Sequence, residues 1–179
     1  MKFSDLKHGD VLLYEHKKKA SLFVRGIRFI TGSRIEHCGI VLDVDNQKFI
    51  LEQMSERMHS YLPFYYAKPG EVIHCVRPKF AIPEMDNKTL CKRIDYGYLS
   101  ICDCLLNHLF GRITFGNWVY RPMLKRWFNT QTIICSTLVA TALKLNNNVK
   151  WCNYLEVVEP DDYWNHTEDF MYIGIVDWS

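Results

Sequence analysis

The segment from His37 to Gln53 constrains the fold more than any other part of the chain. His37-Cys38-Gly39-Ile40-Val41-Leu42-Asp43-Val44 is the strongest β signal present, an apolar run rich in β-formers. The turn residues Asp45-Asn46-Gln47 follow, and Lys48-Phe49-Ile50-Leu51-Glu52-Gln53 reads as the returning strand of a hairpin. Two more runs extend the pattern. Val11 to Glu15 is introduced by Gly9-Asp10, and Glu71 to Arg77 follows the turn pair Pro69-Gly70. Strands succeeding one another along a chain favour an antiparallel sheet.

The character changes after Pro83. Residues 87–96 and 98–110 carry apolar positions at three- and four-residue steps (Leu99, Cys102, Leu105, Leu106, Leu109), which predicts two helices. Residues 20–30 show a similar spacing. Cys135 opens an apolar run through Leu143, predicted as a helix that ends near Asn146-Asn147-Asn148. Glu159-Pro160-Asp161-Asp162 has the acidic character of a helix start, with proline accommodated in the first turn. Phe170 to Val176 reads as a closing strand. The stretch 111–129 has aromatics with no clean period. The fold class expected is α+β, an antiparallel sheet packed against helices.

A length of 179 residues suits one domain, 1–179, large enough for a proper core. Lys+Arg number 22 against 20 Asp+Glu, and Lys17-Lys18-Lys19 reads as a solvated loop, so no nucleic-acid partner is expected. The start Met1-Lys2-Phe3-Ser4-Asp5 has no apolar segment behind its charge, and no run approaches a membrane span. Seven cysteines without C-x-x-C spacing fit reduced thiols in a cytoplasmic protein, with leaderless export also compatible. Peripheral contact with lipid is left open, as is the oligomeric state.

Three residues carry the chemistry. Cys135 stands on the first turn of its helix, where unpaired N–H groups and the positive end of the macrodipole favour a thiolate. His37 heads its strand and is a candidate base. Glu52, on the returning strand, comes near His37 if the turn is tight, and a carboxylate there fixes the imidazole tautomer. Taken singly, each has an ordinary explanation: a buried helical cysteine, a packed strand histidine, an exposed strand-end glutamate. Periodicity does not place the Cys135 helix against the His37 strand. A zinc site from His37, Cys38 and Cys135 is disfavoured because adjacent strand residues point to opposite faces, so Cys38 is expected in the core, away from the site. No cofactor and no metal are expected. His8, His16, His59, His74, His108 and His166 read as surface or structural.

Gly9-Asp10-Val11-Leu12-Leu13, Glu36-His37-Cys38-Gly39-Ile40-Val41, Ile50-Leu51-Glu52 and Ile134-Cys135-Ser136-Thr137-Leu138-Val139 resemble the circularly permuted branch of the NlpC-type, papain-like cysteine hydrolases. The YiiX-like group, with its order of histidine, acidic residue and cysteine, is the most similar. Glu159-Pro160-Asp161-Asp162-Tyr163 and the last strand extend the resemblance over most of the chain, apart from about 105–130. It implies a permuted papain-like fold with Cys135 as nucleophile, His37 as base and then acid, and Glu52 as orienting group. The implied reaction cleaves an amide, peptide or related acyl bond through a thioacyl enzyme. A wall stem peptide is one implied substrate. The branch also contains lipid acyltransferases of the lecithin retinol acyltransferase type, and a non-catalytic binding module on the same fold is a third reading. Gln131 and Tyr14 are the side chains on offer as an extra oxyanion donor. Arg112, Arg121, Lys125 and Arg126 suit either a groove for an acidic peptide or lipid headgroup, or plain solvated surface.

Overall fold

The computed structural model describes residues 1–16, 33–44, 47–53, 58–61, 71–82, 135–152 and 158–177. The predicted helices at 20–30 and 87–110, the aromatic stretch 111–129 and Gln131 lie outside them. The described strands are β1 (Val11–His16), β2 (His37–Val44), β3 (Gln47–Gln53), β4 (Met58–Tyr61), β5 (Glu71–Pro78) and β6 (Phe170–Ile175). They form one sheet in the order β4-β3-β2-β1-β5-β6, and every neighbouring pair is antiparallel. The class is mixed α+β, as the sequence pattern implies.

β1 is central because its side chains leave it no exposed face. Val11, Leu12, Leu13 and Tyr14 are all buried, so the strand needs cover on both sides of the sheet and a partner on both edges. Strands β1 to β4 lie side by side in chain order, but β5 departs from simple succession and returns to the free edge of β1. The hairpin is tighter than the sequence reading. Val44 pairs with Gln47, so Gln47 is already strand and two residues make the connection. The short strand β4 has no apolar run to announce it.

Among the described residues the α-helices are α1 (Cys135–Ala142), α2 (Leu145–Asn148) and α3 (Asp162–Asn165). α1 is buried nearly all round, at Ser136, Thr137, Leu138, Val139, Ala140 and Ala142, as a core helix should be. It does not run on to the Asn146-Asn147-Asn148 triplet. Lys144 adopts the left-handed conformation (φ 47°) and breaks the helix; Asn148 Nδ2 then donates to the Leu143 and Lys144 carbonyls at 2.9 and 3.2 Å. Pro160 also precedes α3 and is not in its first turn.

Strand alternation separates two apolar layers. On one face Val11, Leu13, Cys38, Ile40, Leu42, Leu51 and Val76 pack with Leu138, Val139, Leu143 and Tyr163. On the other, Leu12, Tyr14, Val41, Ile50, Ile73 and Cys75 pack with Leu6 and Val176. Each fully buried Leu, Ile or Val contributes roughly 1.5–3 kcal/mol. Tyr163 Oη donates to the Ser136 carbonyl at 2.8 Å and so pins the start of α1 to α3. Among the described residues no helix is long and apolar enough to cross a membrane.

Candidate active site

The site grows from the register of three adjacent strands. Tyr14 on β1 pairs with His37 on β2, and Gly39 on β2 pairs with Glu52 on β3. Glu52 is therefore the diagonal neighbour of His37, a separation a long side chain can close. Its Oε2 lies 3.4 Å from His37 Nε2, an ion-pair contact too poorly aimed to be a direct hydrogen bond. Tyr14 Oη donates to Glu52 Oε1, and the Tyr14 and His37 rings tilt against each other with centroids 5.2 Å apart.

Tyr14 and Glu52 belong to strands on either side of β2 and meet above it because Gly39 has no side chain. A Cβ there would stand 2.9 Å from Glu52 Cγ and 3.1 Å from the Leu51 carbonyl. We expect Gly39→Ala to displace the Glu52 side chain, to cost about 1–3 kcal/mol in urea unfolding, and to slow iodoacetamide capture of Cys135 because His37 loses its support. An unchanged capture rate would show that Glu52 does not matter to the sulfur.

Cys135 enters from the other face, where α1 packs on β2 and β3. His37 is the first residue of β2, and from the strand end its ring comes near enough to the sulfur for each group to shift the protonation of the other. With Nε2 turned to Glu52, Nδ1 is the nitrogen available to the sulfur. The three residues singled out in the sequence thus form one contiguous group. Cys38 is in the core as expected, but not away from the site: it belongs to the apolar layer against which Cys135 packs and acts directly on the Cys135 thiol. The sulfur sits at the end of β2, over its first two residues, where alternation no longer keeps neighbours apart.

These contacts decide the protonation states. The neighbouring Cys38 comes first among the influences on Cys135; burial opposes it, but the His37 ring and its charge add to it, and the thiol falls well below its ordinary value. His37 loses charge stability through burial, yet the Cys135 sulfur and its charge, with the Glu52 carboxylate, raise it to about 10. The resting pair is a thiolate beside an imidazolium. Burial, then the Cys135 thiolate, push the Cys38 thiol well above its ordinary range, so it stays protonated.

Folding therefore moves a proton from sulfur to nitrogen. Between the ordinary values of 6.5 for the imidazole and 9.0 for the thiol, unfolded and folded pairs hold one proton each, and the raised histidine and lowered cysteine cancel in their pH dependence. Above 9.0 the unfolded pair is bare while the imidazolium persists to about 10, so stability falls by about 1.4 kcal/mol over that unit. Below 6.5 the unfolded pair binds two protons against one, and stability falls with falling pH until the thiolate is protonated. Urea midpoints measured from pH 5 to 10 should show this plateau and both declines. Cys135→Ala should make the decline above pH 9.0 shallower without abolishing it, because the buried Cys38 and Cys75 thiols are also held above their ordinary value.

Other sequence expectations resolve differently. Tyr14 commits its proton to Glu52 and is not poised as an oxyanion donor; its role in holding the carboxylate was missed, though two β positions flanking one glycine are its signature. His74 is buried, with Nε2 3.1 Å from Glu15 Oε2 and Nδ1 3.3 Å from Tyr172 Oη; it packs edge-on against Trp164 at 5.0 Å. This second histidine–carboxylate pair has an ordinary structural environment. His8 Nδ1 accepts the Asp43 N–H at 3.0 Å, and His166 stacks on Trp151 at 4.1 Å. Among the described residues no three His, Cys, Asp or Glu side chains are disposed to hold a metal ion. No protein-family model matches the chain, and no curated protein shows significant similarity to it.

Proposed function

We propose that this chain is a cysteine hydrolase of the permuted papain-like, NlpC-type kind, cleaving an amide, peptide or related acyl bond through a Cys135–His37–Glu52 triad. The observation that carries the reading is the close approach of Cys135, on the first turn of α1, to His37, with the buried Glu52 carboxylate 3.4 Å from the far side of the ring. The chain order of a histidine strand, an acidic strand and a cysteine helix is the permuted one, and the α+β class accords with it.

The reaction follows from the resting ion pair. The Cys135 thiolate attacks the carbonyl carbon, and the oxyanion is received by free N–H groups at the start of α1. The His37 imidazolium gives its proton to the leaving amine or alkoxide as the carbon–heteroatom bond breaks, leaving a thioacyl enzyme. Neutral His37 then takes a proton from water, whose oxygen attacks the thioester; the acid leaves and the thiolate–imidazolium pair returns. Glu52, held by Tyr14, keeps the ring oriented through both proton transfers.

The test is covalent. A p-nitrophenyl acyl ester mixed with the protein and acid-quenched within the first turnovers should leave one acyl group, mapped to Cys135, with a burst of nitrophenol. Wall-type peptides and phospholipid vesicles then sort the natural bond. Acyl groups spread over lysines, with no preference for Cys135, would end the hydrolase reading.

A further inference from the structure

The described part of the molecule holds the cysteines Cys38, Cys75, Cys135 and Cys152, and Cys38 has no task in the hydrolytic cycle beyond neighbouring the nucleophile. Cys38 is completely buried, whereas Cys135 is partly exposed. Both pack into the same apolar layer where α1 lies on β2, Cys135 at the first residue of the helix and Cys38 at the second of the strand, close enough for each sulfur to act on the other. Cys75 lies in the layer on the opposite face of the sheet. An oxidant arriving from solvent therefore meets Cys135 first, with a second thiol already against its sulfur.

We propose that Cys38 and Cys135 are a site of reversible oxidative modification, in which a peroxide oxidises Cys135 and Cys38 closes a disulfide onto it. In the first step the Cys135 thiolate attacks one peroxide oxygen. The O–O bond breaks, sulfur is oxidised by two electrons to the sulfenic acid, and the second oxygen leaves as hydroxide, which takes the proton of the His37 imidazolium to become water. In the second step the Cys38 sulfur attacks the sulfenic sulfur as its own proton passes to the departing hydroxide. The S–S bond forms, the S–O bond breaks and a second water leaves. Two thiols and one peroxide give one disulfide and two waters, and a dithiol reverses the bond by exchange.

The order of events has an electrostatic cause. While Cys135 is a thiolate, burial and the Cys135 charge together keep Cys38 protonated and unreactive towards oxidant. Conversion to a neutral sulfenic acid removes that charge, so Cys38 becomes easier to deprotonate at the moment its proton is needed by the departing hydroxide. The disulfide ties the first residue of α1 to β2 and takes the nucleophile out of use. It also spares the sulfur from sulfinic and sulfonic acids, which thiols do not reverse.

The experiment reads a bond and not turnover, so it stands or falls separately from the hydrolase assignment. The full chain, reduced and freed of reductant, is treated with one to five equivalents of hydrogen peroxide, alkylated under denaturing conditions and mapped by unreduced proteolysis. A Cys38–Cys135 linked peptide pair is expected, lighter by two hydrogens. Cys135 alkylation should drop by about tenfold or more and recover with dithiothreitol. Cys38→Ser and Cys38→Ala should instead accumulate sulfinic and sulfonic acid at Cys135 that dithiothreitol does not restore. If the unaltered chain over-oxidises Cys135 while Cys38 stays fully alkylatable, or links Cys135 to another cysteine, the proposal is wrong.

Discussion

If the proposed hydrolase mechanism holds, replacing Cys135 by Ala should lower acyl-ester turnover by about 10⁴-fold or more, and His37→Ala should do almost the same, while the double variant should be scarcely worse than either. The reason is that the two residues act as one unit. Without the imidazole the thiol returns towards its ordinary protonation and has no acid for the leaving group. Without the sulfur the imidazole has nothing to activate but water. The measurement is kcat/KM for a p-nitrophenyl acyl ester on all three variants, with urea midpoints in parallel. Cys135 is only partly buried, so Cys135→Ala should keep the fold within about 1 kcal/mol at neutral pH. Independent, multiplying losses would mean that sulfur and imidazole do not cooperate, and full turnover without the sulfur would end the mechanism.

Arg77→Met produces the largest loss of stability among the changes considered. Asp10 is fully buried beside a fork of two bonds, Arg77 Nε to Oδ1 at 2.7 Å and Nη2 to Oδ2 at 2.8 Å. The Lys7 N–H adds a third at 2.7 Å. The same aspartate closes the turn that starts β1, where Gly9 takes φ 84° and its N–H bonds the Val41 carbonyl at 2.8 Å. Asp10 in return holds the Arg77 guanidinium charged above its ordinary range. Removing the guanidinium leaves a buried carboxylate with one neutral donor, at a cost of about 3–5 kcal/mol. For a chain of this size that lowers the thermal midpoint by roughly 6–20 °C. Arg77→Lys keeps the charge but loses the fork and should fall between the two. A shift below about 1 kcal/mol for Arg77→Met would show that water reaches Asp10.

The pair could not have been read from the sequence, although both halves were visible as a turn aspartate and a strand arginine. Their meeting depends on β5 lying beside β1, and nothing in the alternation of either strand says which edge of β1 it takes. Cys38 shows the opposite failure. Alternation does separate Cys38 from Glu52 and Tyr14, but it says nothing about an element that approaches the strand from its end.

Local pattern alone settled the elements around the site: a hairpin fixed by alternating burial and a short turn, and a helix opened by Cys135 and apolar on every side. The His37–Glu52 neighbourhood follows from these, since a two-residue connection leaves little freedom of register. Which surface α1 covers, that its first residue lands on the head of β2, and that Tyr14 reaches across Gly39 to Glu52 were decided only when the elements packed. Periodicity records which side of an element is apolar; the partner for that side is chosen by how shapes and buried polar groups fit together across long stretches of chain.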